Sequence, residues 1–163
     1  MIVVSDTPPL TNLAAIGQFD LLRQLYEELH IPEGVWAELN AEGKRWPGAD
    51  EVEAASWVKR HAVQNESLVT ALRRDLGQGE AEGIALALEL GADLILLDEN
   101  EGRHAAQRMG LRVVGVVGVL LDAKARGAVA EIRPQLDALR QKAGFYLSEA
   151  LYQAALASAD ESS

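Results

Sequence analysis

The chain has no cysteine among its 163 residues. That excludes disulfides, thiolate metal sites and a cysteine nucleophile, and it suits a reducing cytoplasm. Aromatic residues make up only 5%, so leucine, alanine and valine must fill the interior. Positive charge is scarce too: 15 Lys and Arg against 25 Asp and Glu leave a net charge of −10. A protein that grips nucleic acid broadly through its phosphates would be basic, so tight, unselective binding of that kind is disfavoured. An acidic site neutralised by cations is compatible with this balance, as is a surface kept acidic for solubility. No apolar run reaches the roughly 18 residues that a membrane helix needs. The longest, residues 113–121, is interrupted by Gly115 and Gly118. Nor is Ile2-Val3-Val4, running at once into Ser5 and Asp6, the pattern of a secretory leader.

What remains is an alternation of strand and helix signals in a chain that is 48% apolar. The Ile/Val run at residues 2–5, stopped by Thr7-Pro8-Pro9, predicts a buried strand. A short helix over 10–16 follows, ending near Gly17. Phe19, Leu22, Leu25, Tyr26 and Leu29 fall at helical spacing and predict a second helix. Pro32 suits the first turn of a third, carrying Val35, Trp36 and Leu39. Residues 42–50 read as a loop, 51–55 as a helical turn and 57–63 as a strand. Gly77 and Gly79 precede a helix with Ala81, Ile84, Ala85 and Leu88 on one face, closed by Gly91. Residues 94–97 form the clearest later strand, followed by a polar-faced helix over 99–109, a strand over 112–114 and a helix over 118–126. Two helices, 132–142 and 148–157, complete the chain, the last opened by Ser148 and Glu149. Such alternation predicts one α/β domain over 1–157 with a mainly parallel, helix-covered sheet, and a polar tail over 158–163.

Two strands end on an acid. Val3-Val4-Ser5 runs into Asp6, and Ile95-Leu96-Leu97 into Asp98. In a parallel sheet all carboxyl ends lie on one edge, where ligands bind, so these two acids become neighbours. Like charges held close require a cation, a proton or abundant water. Oxygen ligands without cysteine favour a hard ion, Mg²⁺ or Mn²⁺. The plainer reading is that each Asp caps the helix that follows it. Further acids sit at suggestive places. Glu38 borders an apolar helix face, and Glu80 lies on the row Glu80–Ile84–Leu88 at the start of its helix. Dipole complementation explains an acid in a first turn equally well, and the same holds for Glu99 and Glu101. Glu82 points well round the helix from Glu80 and reads as solvated.

Other chemistries fit poorly. His30, His61 and His104 show no metal-ligand spacing, and there is no GxSxG elbow or GxxxxGK[ST] loop. Gly77, Gly79 and Gly83 give GxGxxxG, one residue off the dinucleotide fingerprint and not directly after a strand.

The stretches SDTPPLTNLAAIGQFDLLRQLY, IPEGVWAEL, GQGEAEGIALALELGADLILLDENEGRHAAQRMGLRVVGVVGVLLDAKARG and AGFYLSEALYQAAL, in that order and spacing, resemble the PIN-domain superfamily. The nearest resemblance is to its small prokaryotic VapC-like branch, and it runs nearly end to end. It implies a Rossmann-like three-layer α/β/α sandwich and a metal-dependent ribonuclease using Mg²⁺ or Mn²⁺. It further implies that Asp6, Glu38, Glu80 and Asp98 are the catalytic metal ligands, with Glu82 and Glu101 as alternatives. Thr7, Asn12 and Arg103 become candidate substrate contacts, Arg103 for its bidentate fit to phosphate. Pro8 departs from the branch, which usually has serine there, and so removes a hydroxyl and an N–H beside the first acid. The expected partners are an RNA substrate, a small antitoxin that blocks the acidic site and a second copy of the chain, all in the cytoplasm. A non-catalytic interaction module that keeps the fold is the competing expectation.

Overall fold

The computed structural model describes residues 1–161, and its centre is a single parallel sheet. The strands are β1 (Val3–Ser5), β2 (Leu29–Pro32), β3 (Val58–His61), β4 (Leu94–Leu96) and β5 (Val113–Val114), in the order β3-β2-β1-β4-β5. Ten α-helices connect or flank them among the described residues: α1 (Thr7–Ala15), α2 (Leu21–Tyr26), α3 (Glu33–Leu39), α4 (Ala49–Ala54), α5 (Glu66–Leu72), α6 (Gln78–Leu90), α7 (Asn100–Arg108), α8 (Val116–Ala125), α9 (Arg133–Gln141) and α10 (Glu149–Ser158). No helix among the described residues is long and apolar enough to cross a membrane.

The period-2 geometry of the central strands divides the core in two. Val3, Leu29, Ile31, Leu94 and Leu96 face one layer, where α1, α2, α8, α9 and α10 contribute Leu13, Leu22, Leu120, Leu136 and Leu156. Val4, Ile95 and Leu97 face the other, against Ile84, Leu86 and Ala87 of α6 and Ala105 and Ala106 of α7. Two packed faces make the three-layer α/β/α sandwich. β2 and β3 extend from β1 on one side, and β4 and β5 on the other. The connection therefore reverses direction between β1 and β4, and a crevice opens at their carboxyl ends.

Several elements differ from the local sequence signals. The helix predicted to run through Leu29 stops at Tyr26, and Leu29 begins β2, so five strands form where four were expected. Leu29 continues the helical spacing of Leu22, Leu25 and Tyr26, so its period alone did not separate it from α2; Ile31, two residues on, follows strand spacing instead. The prolines Pro8 and Pro9 lie inside α1, whose first turn has no use for their missing N–H groups. The loop at 42–50 contains a 3₁₀ turn over Ala41–Gly43 and the start of α4. Residues 66–72, which carry no strong signal, form α5. Residues 113–121 split at Gly115 into β5 and α8. Leu88, placed by spacing on the inner face of α6, is exposed, whereas Gly83, Leu86 and Ala87 are buried.

The segment read as a polar tail is tied down up to Glu161. Its carboxylate accepts from Lys124 Nζ at 2.8 Å and from the N–H groups of Ile132 at 2.7 Å and Arg133 at 3.1 Å. Ser162 and Ser163 lie outside the described residues. The histidines His30 and His61, which show no metal-ligand spacing in the sequence, are paired across β2 and β3 with Nδ1 and Nε2 at 2.8 Å.

Candidate active site

β1 delivers Asp6 to the crevice. The strand continues into sheet geometry for one more bond, Asp6 N–H to the Leu96 carbonyl at 3.0 Å, and then turns into α1. Asp6 stands at the position that precedes the helix, yet its side chain makes no capping bond. It is 1% exposed, and both carboxylate oxygens lack any hydrogen-bond partner. The capping role that the sequence allowed is thus not what holds this acid. Burial above all pushes the Asp6 carboxyl up to about 8, with the carboxylates of Glu80, Glu38 and Glu99 adding to it and the nearby Thr7 N–H, which falls short of hydrogen-bond geometry, opposing it.

β4 delivers Asp98 to the same edge, next to β1 in register Ser5 to Leu96. Asp98 does cap a helix, but a distant one: Oδ1 accepts the Val116 N–H of α8 at 2.9 Å. Its Oδ2 is buried with no partner. Burial raises its pKa, opposed by the Val116 N–H and the Arg103 charge.

Glu80 sits in the first turn of α6. Oε1 accepts the Gly77 N–H at 3.2 Å, and Oε2 is buried and unpartnered. Burial raises its pKa, and Glu99, Glu38 and Glu101 add to that. Glu38, near the end of α3, is fixed at both oxygens: Thr7 Oγ1 donates to Oε2 at 2.5 Å, and the Gly79 N–H donates to Oε1 at 2.8 Å. Glycines leave room for these acids where they stand. A Cβ at Gly79 would stand 2.7 Å from both Glu38 oxygens, and one at Gly102 would stand 2.5 Å from Glu80 Oε2.

The structure therefore brings Asp6, Glu38 and Glu80 into one electrostatic cluster, with Asp98 on the adjoining strand end. Glu82 is elsewhere. Far from being solvated, it is half-buried and bonds the start of α3, accepting the Gly34 N–H at 2.9 Å and the Gln78 side-chain amide. Glu101 is exposed, lining a cavity between α5 and α7 with Asp75 and His104 while still acting on Glu80. Thr7 holds Glu38 rather than facing open space. Arg103 donates to the Leu97 carbonyl at 2.9 Å beside Asp98. Arg103 and Asn12 line a groove of about 900 Å³ that also reaches Asp98 but not Asp6 or Glu80. Glu99, which the sequence offered only as a helix-dipole residue, is a charged neighbour of Asp6, Glu80 and Asp98 alike. Its position directly after Asp98 was the one available signal.

Four buried carboxylate oxygens without partners, on Asp6, Glu80 and Asp98, are costly unless a proton or a cation satisfies them. Oxygen donors of this kind fit a hard divalent ion. Among the described residues, no three Asp, Glu or His side chains stand close enough as placed to hold one ion together. The donor set fits a metal, and closing round it requires side-chain movement.

The α/β/α sandwich thus gathers its acids at the carboxyl edge of a parallel sheet, at the switch point where open α/β sheets bind ligands. A PIN-domain family model matches residues 2–161, and the chain belongs to the PIN-domain family. PIN domains are generally nucleases and typically use divalent metals. No curated protein matches the chain significantly.

Proposed function

We propose that the protein is a metal-dependent ribonuclease that hydrolyses RNA phosphodiester bonds with Mg²⁺ or Mn²⁺. The observation that carries this reading is the set of unpartnered buried oxygens on Asp6, Glu80 and Asp98. A divalent ion held there would neutralise charge on the scissile phosphate and activate water as a Lewis acid. Asp6, Glu80 and Asp98 would supply the free oxygens for such an ion, and Asp6 would have to be ionised to take part. Glu38, locked by Thr7 and the Gly79 N–H, presents a fixed negative charge that orients the cluster. Arg103, anchored through one guanidinium nitrogen, offers its remaining N–H groups to a phosphate oxygen.

The protein acts in this reading as the cytoplasmic toxin of a toxin–antitoxin pair. Its net charge of −10 suits a small basic antitoxin that covers the acidic edge. It forms a homodimer, and native mass at micromolar concentration tests that. The competing reading is an inactive PIN-like module that binds a protein partner. The absence, among the described residues, of three acids already at ion-binding spacing favours it.

Cleavage of mixed structured RNA by wild type, Asp6→Asn and Asp98→Asn separates the two. Ribonuclease action requires cutting with Mn²⁺ or Mg²⁺, silence in EDTA and loss in both folded variants. Absence of cutting with either metal, or variants as active as wild type, transfers the site to the interaction module.

A further inference from the structure

The groove beside Asp98 carries an aromatic ring that the fold does not need. Phe145 turns inward against the larger core and Leu147 is buried, but Tyr146 between them is 86% exposed. The backbone on either side is fixed. The Phe145 N–H donates to the Leu139 carbonyl at 2.9 Å, and Arg140 holds the Leu147 carbonyl through Nε at 3.2 Å and Nη2 at 2.7 Å. Tyr146 is thus a flat ring presented to solvent from a segment already ordered, which makes binding to it cheap in conformational entropy. It lines the same groove as Asn12, Asp98, Asn100 and Arg103. The groove therefore joins three features: an aromatic face, amide side chains suited to base edges, and a guanidinium next to the candidate catalytic acid. Unpaired bases stack on such rings whatever their identity, whereas bases inside an RNA duplex cannot reach them.

We propose that Tyr146 is the stacking platform for an unpaired base of single-stranded RNA, with the adjoining phosphate on Arg103 as the strand approaches Asp98. The assignment rests on the ribonuclease reading and adds to it the residue that receives a base. The acidic groove wall, with Asp98 and Glu99, disfavours a strand held by charge alone and leaves stacking as the main sequence-independent contact.

The test uses a short single-stranded RNA carrying 2-aminopurine, whose fluorescence falls on stacking. Binding is measured in EDTA, where turnover is blocked, and KM for the same RNA is measured with Mn²⁺. The wild type is compared with Tyr146→Ala and Tyr146→Phe. One stacked base corresponds to a loss of about 5- to 150-fold in affinity for Tyr146→Ala. The quenching should be lost with it, and Tyr146→Phe should restore both. A duplex of the same sequence should show no difference between wild type and Tyr146→Ala. RNA bound and cut by wild type and Tyr146→Ala alike, with equal quenching, overturns the stacking assignment alone and leaves the groove to a protein segment. RNA neither bound nor cut by wild type overturns the ribonuclease reading, and the stacking assignment falls with it.

Discussion

Replacing Asp6 by asparagine should make the metal-free protein more stable, and increasingly so as the pH rises. Asp6 is 1% exposed, has no hydrogen-bond partner, and titrates at about 8 in the fold against 3.8 as an ordinary carboxyl. Between those two values the unfolded chain has released a proton that the folded chain retains. The folded state binds the extra proton, so stability is fully present below the lower value, declines as pH climbs through the interval and levels off above about 8. The slope is about 1.4 kcal/mol per pH unit, which gives about 3 kcal/mol lost between pH 5 and pH 7. Asparagine cannot titrate, so that part of the loss vanishes. Glu80 and Asp98, whose pKa values are also raised, destabilise both proteins in the same direction and largely cancel in the comparison. The steric change from acid to amide is common to every pH and also cancels. The measurable quantity is the stability of Asp6→Asn minus wild type in EDTA, by thermal or urea unfolding at pH 5 and pH 7. It should grow by about 3 kcal/mol, or roughly 6–12 °C in Tm for a domain of this size. Mn²⁺ at about 100 times its Kd should then return about 2.7 kcal/mol to wild type and nothing to the variant. A stability difference that is the same at both pH values would refute the reasoning, because it would mean that Asp6 is not held protonated by burial.

The two acids of α6 should separate cleanly. Glu80→Gln should abolish both Mn²⁺-dependent stabilisation and RNA cleavage, whereas Glu82→Ala, which orphans the Gly34 N–H and releases the Gln78 amide, should cost about 1–2 kcal/mol in urea unfolding and leave cleavage intact. Gly79→Ala would force a methyl to within 2.7 Å of both Glu38 oxygens, so cleavage should drop while far-UV circular dichroism stays that of the wild type. Glu161→Ala should destabilise the protein by about 2–4 kcal/mol in denaturant titration, since it leaves the Ile132 and Arg133 N–H groups and Lys124 without their carboxylate.

Much of the scaffold is written locally. β1 and β4 are short β-branched or leucine-rich runs bounded by turn residues, and they form where that pattern puts them. α6 begins after Gly77 and ends on Gly91, which adopts φ 62 as a left-handed cap requires. Ser148 caps α10 by accepting the Leu151 N–H at 3.1 Å. These signals act between residues a few positions apart, so they survive without knowledge of the rest of the chain. The same is true of Asp6 and Asp98 as strand-end acids, and parallel pairing alone suffices to make them neighbours.

β2 was hidden because Leu29 extends the helical spacing of α2, and the pairing of residues 29–32 with both β1 and β3 makes that segment a strand. Glu80 and Glu82 look alike in sequence, two acids in one helical turn. Their difference comes from which neighbours the packing supplies: α3 presents the Gly34 N–H to Glu82, while Glu80 Oε2 meets none. Tyr146 differs from Phe145 and Tyr152 only in being left outside the core. A side chain's type and its place in a local pattern belong to the sequence. Whether a buried carboxylate is satisfied or left wanting a cation, and whether an aromatic ring is packed or presented, depends on groups brought in from elsewhere in the chain, because burial and hydrogen bonding are set by the nearest atoms in space.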